Sequence, residues 1–156
     1  MDLEIGLRAL MITSTDLMKR LMTKVFLDTS YAVALSSQTD ENHNRAVELA
    51  EQLEASNTHF VTTRAILLEI GNALSKVRHR TAAVRLLTAL ENDRNVEVVP
   101  ASDDLYRRAF ETYRDRADKE WGLIDCMSFV VMSDQGLTDA LTADNHFRQA
   151  GFHVLL

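Results

Sequence analysis

The chain has 156 residues, 46% hydrophobic and 26% charged, and a formal net charge of −6. That length suits one domain with a core of its own, and the acidic balance excludes a protein that holds nucleic acid through bulk positive charge alone. A single cysteine, Cys126, excludes an intrachain disulfide and suits a reducing, cytoplasmic compartment.

Residues 1–23 stand apart from the rest. They include Asp2 and Glu4 and contain no uninterrupted apolar stretch able to span a bilayer, which argues against both a membrane anchor and a signal peptide. They are expected to form an N-terminal extension outside the core fold. Two forms are open: an added amphipathic helix capped around residues 14–16, or a leader ahead of a start at Met22. The core domain is expected over residues 24–156.

From Lys24 onward, β-like runs alternate with helical patterns. "KVFL" reads as a first strand, after which Ala46, Val47, Leu49, Ala50 and Leu53 fall on one helical face. "HFVTT" reads as a second strand, followed by a buried helix in "RAILLEIGNALSKV" and another in "AAVRLLTALE". "VEVVP" is a third strand, and Ser102 is placed to cap a helix on which Leu105, Ala109 and Tyr113 repeat every four residues. "LIDCMSFVVMSDQG" predicts a buried helix closed by Gly136 and carrying Cys126 as a structural thiol; "ALTAD" and "FHVLL" are the last two strands. Strands alternating with helices predict a parallel sheet with helices on both faces, and ligand sites in such sheets lie beyond the strand C-termini.

Four carboxylates fall where that pattern asks for something else. Asp28 ends the strand in "VFLDTSYAVAL"; Glu69 has Ala65, Ile66, Asn72 and Ala73 at its helical neighbours; Asp125 interrupts "LIDCMSFVV"; Asp144 ends "ALTAD". Each has a structural reading: Asp28 and Asp144 as helix caps, Asp125 as a first-turn partner of the helix dipole, Glu69 as half of an ion pair. Gathered at one end of a sheet, with no lysine or arginine in their motifs, they point to a divalent cation. All-oxygen ligands favour Mg²⁺, with Mn²⁺ as the alternative, over zinc. The five histidines show no ligand spacing and read as structural or surface. The basic residues Lys76, Arg78, Arg80 and Arg148 are candidates to guide a polyanion, beside the simpler reading of a solvated face.

The blocks "VFLDTSYAVAL", "LLEIGNAL", "WGLIDCMSFVVM" and "ALTADNHFRQAGF" resemble, in order, the acidic blocks of PIN-domain ribonucleases, especially the VapC-type toxins of type II toxin–antitoxin pairs. The resemblance implies a PIN-like three-layer α/β/α sandwich with a central parallel sheet of about five strands. It also implies catalytic, metal-holding carboxylates at Asp28, Glu69, Asp125 and Asp144, with Ser30, Thr142 or Ser128 orienting water or ligands. The implied activity is Mg²⁺-dependent hydrolysis of RNA phosphodiesters, and the implied partners are a cognate antitoxin and a second copy of the chain. Leu35, Leu49, Leu86 and Leu87 are candidate contact residues only, and they read first as plain core. Three alternatives stand beside it: a PIN nuclease of RNA processing or decay without an antitoxin, a catalytically silent PIN interaction module, and a metal-dependent phosphatase or DNA nuclease using the same carboxylates. Residues 1–23 depart from the family pattern, which begins close to the first strand.

Overall fold

The computed structural model describes residues 23–156; the N-terminal extension expected over residues 1–23 otherwise lies outside the described residues. Five strands form one sheet: β1 (Lys24–Leu27), β2 (His59–Thr63), β3 (Val96–Val99), β4 (Asp139–Leu141) and β5 (His153–Val154). The order is β3-β2-β1-β4-β5 and every pairing is parallel. Seven helices among the described residues flank it: α1 (Thr29–Ser36), α2 (His43–Ala55), α3 (Arg64–Ala73), α4 (Val77–Asn92), α5 (Asp103–Asp115), α6 (Leu123–Gln135) and α7 (Asn145–Gln149). The parallel sheet with flanking helices is the arrangement expected from the alternating pattern, and its five strands match the architecture that the family resemblance implied.

The strand order fixes where a site can form. From β1 the chain moves outward to β2 and β3, then crosses to β4 on the other side of β1 and ends at β5. The sheet therefore reverses direction between β1 and β4, the point at which diverging connections leave a crevice beyond the strand ends. Asp28 follows β1 and donates its backbone N–H to the Leu141 carbonyl at 3.2 Å, so the β1–β4 pairing extends right up to that crevice.

The core explains why the central strands are so apolar. Val25, Phe26 and Leu27 of β1 are buried between helices on both faces, as are Ala140 and Leu141 of β4. Helix α6 is buried from Cys126 to Met132. It stops where expected, at Gly136 with φ +65°, a left-handed conformation that costs glycine little. Cys126 is a free, buried thiol, pushed up to about 11 by desolvation and by the neighbouring Asp125 charge. Phe147 of α7 is fully buried, with ring centroids 5.1 Å from Phe129 and 6.0 Å from Phe26, and so ties the last short helix to α6 and β1.

Two expectations need correction, and the simpler reading of the candidate contact leucines holds. The helix begun at Arg64 ends at Ala73 instead of running on to Val77, because the backbone N–H of Leu74 already closes the last turn and a separate helix starts at Val77. Tyr113 does not share the inward stripe of Leu105 and Ala109 but is 49% exposed. Of the four leucines considered for contacts, Leu49 is core, and Leu35, Leu86 and Leu87 are half-buried against it, so they are packing residues first.

Replacing Phe147 by alanine is expected to cost about 3–5 kcal/mol in urea unfolding, since it opens an aromatic-lined cavity in the core.

Candidate metal centre and active site

The cleft beyond β1 and β4 has a volume of about 430 Å³ and is lined by Asp28, Thr29, Ser30, Val33, Asp40, Asn42, Glu69, Ala73, Asp125 and Asp144. All four carboxylates singled out in the sequence face this one space. No lysine or arginine lines it among the described residues.

Asp28 is the most buried of them, at 6% exposure. It is the N-cap of α1, so the capping role and the cleft position coincide. Its Oδ2 accepts from the Ser30 hydroxyl at 2.9 Å, from the Thr142 hydroxyl at 2.7 Å and, at 3.4 Å, from the Ser30 amide. Each hydroxyl has one proton to give, and both are committed to Asp28, so the 3.0 Å approach of Ser30 Oγ to Thr142 Oγ1 adds no third bond. As acceptors the two hydroxyls take the amides of Ala143 (3.0 Å) and Asp144 (2.9 Å). The start of α1 is thereby stitched to the segment after β4, and Oδ1 of Asp28 is left without a side-chain partner. Burial pushes the Asp28 carboxyl up, and these hydrogen bonds offset only part of the shift.

Glu69, on α3, pairs with no arginine among the described residues. Its Oε2 accepts a short hydrogen bond from the Thr29 hydroxyl. Its carboxyl is pushed up first by desolvation, and further by the charges of Asp28, Asp125 and Asp144, with the Thr29 bond pulling the other way. That three carboxylates act on a fourth is the electrostatic signature of their convergence. Asp125 lies in the first turn of α6 and accepts the Gly122 amide at 2.8 Å, while Asp144 caps α7 by accepting the His146 amide at 2.8 Å.

Sequence reasoning missed four polar residues that line or touch the site. His146 is the most consequential: its Nδ1 lies 3.0 Å from Asp125 Oδ2 and 3.4 Å from Asp144 Oδ2, and the three side chains form a group able to hold a metal ion. It belongs to the site rather than to the surface set of histidines. The signal was its place two residues after Asp144, on the turn that Asp144 caps. Thr29, Asp40 and Asn42 were the others; Asp40 is occupied by the Asn42 amide at 2.9 Å. Of the three hydroxyls expected near the site, Ser30 and Thr142 are there. Ser128 is not: it is buried within α6 and donates to the Ile124 carbonyl at 3.0 Å.

The basic segment begins where the cleft ends. Ala73 lines the cleft, and exposed Lys76, Arg78 and Arg80 follow it at the start of α4. None of the three forms an ion pair among the described residues; Arg78 donates to His79 and Arg80 to the Ser75 carbonyl. Arg148 is exposed and donates to Asn145.

The PIN domain family model matches residues 25–153, the whole region that builds the sheet and the cleft. The chain belongs to the PIN-domain family. Within it, the chain is 32% identical over 130 residues to the 23S rRNA-specific endonuclease VapC20 of Mycobacterium tuberculosis, in strains CDC 1551 / Oshkosh and ATCC 25618 / H37Rv, covering 82% of this chain and 95% of the relative. The crystal structure of Mycobacterium tuberculosis VapC20, described as a Sarcin-Ricin loop cleaving toxin, superposes with a TM-score of 0.72 at 29% identity over 82% of this chain and 95% of that one. VapBC2 from Rickettsia felis, solved bound to a DNA fragment from its promoter, gives 0.59 at 16% identity over 85% and 97%, a likeness of fold alone. This PIN domain is thus of the VapC endonuclease type.

Glu69→Gln tests the electrostatics of the PIN cleft. A carboxyl pushed up by folding binds its proton more tightly when folded, so stability is lost as pH rises from the ordinary glutamate range up to the raised folded value. In chelator, Gln is expected to raise the melting temperature above wild type at neutral pH, and the gain is expected to vanish once the pH falls below that range.

Proposed function

We propose that the chain is a metal-dependent endoribonuclease, the toxin of a VapBC-like toxin–antitoxin pair, acting in the cytoplasm. The observation that carries this reading is the convergence of Asp28, Glu69, Asp125 and Asp144 on one cleft without a lining lysine or arginine. Kinship with a 23S rRNA-specific endonuclease supports RNA, and ribosomal RNA in particular, as the substrate class.

The donor set suits a hard divalent cation. Four carboxylates in one cleft repel one another; burial pushes Asp28 up, and burial together with the charges of Asp28, Asp125 and Asp144 pushes Glu69 up. A cation removes that penalty, and oxygen donors select Mg²⁺ or Mn²⁺. Asp28, Glu69, Asp125 and Asp144 would hold it, with His146 Nδ1 adjoining. When bound, such an ion supplies positive charge to the scissile phosphate and acidifies a water for attack.

The chain's own residues prepare the site for this. Ser30 and Thr142 fix Asp28 through Oδ2, leaving Oδ1 without a side-chain partner among the described residues. Thr29 fixes Glu69, and the Gly122 amide fixes Asp125, so the carboxylates are held in place before substrate arrives. His146, with Nδ1 3.0 Å from Asp125 Oδ2 and 3.4 Å from Asp144 Oδ2, is placed to orient both carboxylates. Lys76, Arg78 and Arg80 offer phosphate contacts at the cleft's edge. A cognate antitoxin that covers the cleft, and assembly as a homodimer, belong to the same reading.

Purified wild type is expected to cut a structured RNA pool only when Mg²⁺ or Mn²⁺ is added. Asp28→Asn and Asp125→Asn should each reduce the rate by roughly a hundred-fold or more, since both remove a charged donor from the proposed centre. Ser128→Ala should cut at the wild-type rate. Cutting that persists in chelator, or in both asparagine variants, contradicts the reading.

A further inference from the structure

Trp121 is the chain's only tryptophan, and it is buried immediately before the helix that carries Asp125. Packing accounts for a large aromatic side chain in the core. It does not account for where the two polar groups of this residue lead. On the main chain, the carbonyl of Trp121 and the N–H of Gly122 belong to one planar peptide unit, and that N–H donates to Asp125 Oδ2 at 2.8 Å. The orientation of this peptide therefore sets the direction from which Asp125 is held. On the side chain, the indole Nε1–H donates to Gln149 Oε1 at 3.2 Å. Gln149 is the last residue of α7, the helix that Asp144 caps and that carries His146.

These contacts close a circuit between α6 and α7 at the acidic cleft. From Asp125 it runs through the Gly122 amide and Trp121 to Gln149, and from α7 His146 Nδ1 returns to within 3.0 Å of Asp125 Oδ2 and 3.4 Å of Asp144 Oδ2. A second path runs through the core: Trp121 meets Phe129 edge to face at 5.0 Å, and Phe129 meets Phe147 of α7 in the same manner at 5.1 Å. The Arg116 guanidinium lies over the indole, 4.8 Å from its centroid, and adds a cation–π contact. Helix α7 has five residues, too few to hold a helix by themselves, so its orientation comes from what it touches. Phe147 pins its middle in the core, and the Gln149 bond limits pivoting about that pin. Neither Trp121 nor Gln149 lines the cleft, so both act through residues that do.

We propose that Trp121 is a positioning residue of the metal centre: through the Gly122 amide and the Gln149 hydrogen bond it sets Asp125 against Asp144 and His146. The proposal rests on the metal-dependent reading of the cleft. A small divalent cation is exacting about the placement of its oxygen donors, so a shift between the two carboxylates weakens its binding even where the fold survives. A residue that served packing alone would change the stability of the chain and leave the cation affinity of the folded molecules as it was.

The test uses the whole chain as wild type, Gln149→Ala, Trp121→Phe and the double variant. Gln149 is exposed, so Gln149→Ala removes the acceptor and leaves the packing of Trp121 in place. Trp121→Phe keeps an aromatic ring and loses the indole N–H. Calorimetry reads Mn²⁺ affinity, melting in chelator reads the fold, and cutting of RNA with Mg²⁺ gives kcat and KM. Each single variant is expected to bind Mn²⁺ roughly ten-fold more weakly, the loss typical of removing a group that orients a metal ligand. Their kcat should fall with KM for RNA unchanged, and Gln149→Ala should melt in chelator close to wild type. Adding Gln149→Ala to Trp121→Phe should weaken Mn²⁺ binding no further, because both substitutions break the same link. Wild-type Mn²⁺ affinity and kcat in Gln149→Ala overturn the proposal while leaving the metal reading intact, and this variant decides the matter by itself if Trp121→Phe does not fold. Losses that add in the double variant also overturn it, since they place the two residues on separate paths. A folded wild type that binds no Mn²⁺ overturns the metal reading and the proposal together.

Discussion

Asp28 is the point on which the rest of the site depends. It closes the central strand of a parallel sheet, caps the helix that follows, and sits in the crevice opened by the reversal of strand order between β1 and β4. A carboxylate at 6% exposure is costly, and the Ser30 and Thr142 hydroxyls offset part of that cost in a cleft that no lysine or arginine lines among the described residues. Ser30 comes from the same helix and Thr142 from the end of β4, so the hydrogen bonds that satisfy Asp28 also lock two distant chain segments together. The same two hydroxyls receive the Ala143 and Asp144 amides, which places the Asp144 carboxylate within the cleft. One buried acid thus organises the positions of its neighbours.

Fold stability and site geometry share residues. Asp28, Asp125 and Asp144 each satisfy backbone amides at helix N-termini as well as lining the cleft. This is why a structural reading of any one of them was sound and yet incomplete: capping orients the carboxylate, and the orientation makes the cluster. Glu69 differs, since it caps no helix and, among the described residues, its hydrogen-bond partner is Thr29 alone. It is the member whose presence the fold explains least and a cation explains best.

Much of the fold was legible because its signals are local. "KVFL" and "HFVTT" carry the apolar character of strands buried on both faces, and Gly136 marks the end of α6 by a backbone conformation that glycine adopts readily. The four acids were legible as violations of the same pattern. What escaped was of two kinds. His146 and Thr29 act through partners 21 and 40 residues away, and no spacing rule reports such contacts before the sheet is assembled. Tyr113 and Ser128 misled in the opposite direction. A four-residue repeat put Tyr113 on the buried stripe, although its ring turns outward with Tyr106 and Phe110. A hydroxyl close to Asp125 in sequence drew Ser128 toward the site, although its proton is given to the helix backbone.

The central claim is that the four carboxylates form a cation site, and calorimetry tests it without reference to any RNA. Mn²⁺ titrated into chelator-treated wild type at neutral pH should bind saturably and raise the melting temperature, as a ligand specific to the folded state must. Both effects should be lost in Asp28→Asn. Absence of binding heat and of any melting shift in a folded wild-type chain would contradict the account and return the four acids to the service of the fold alone.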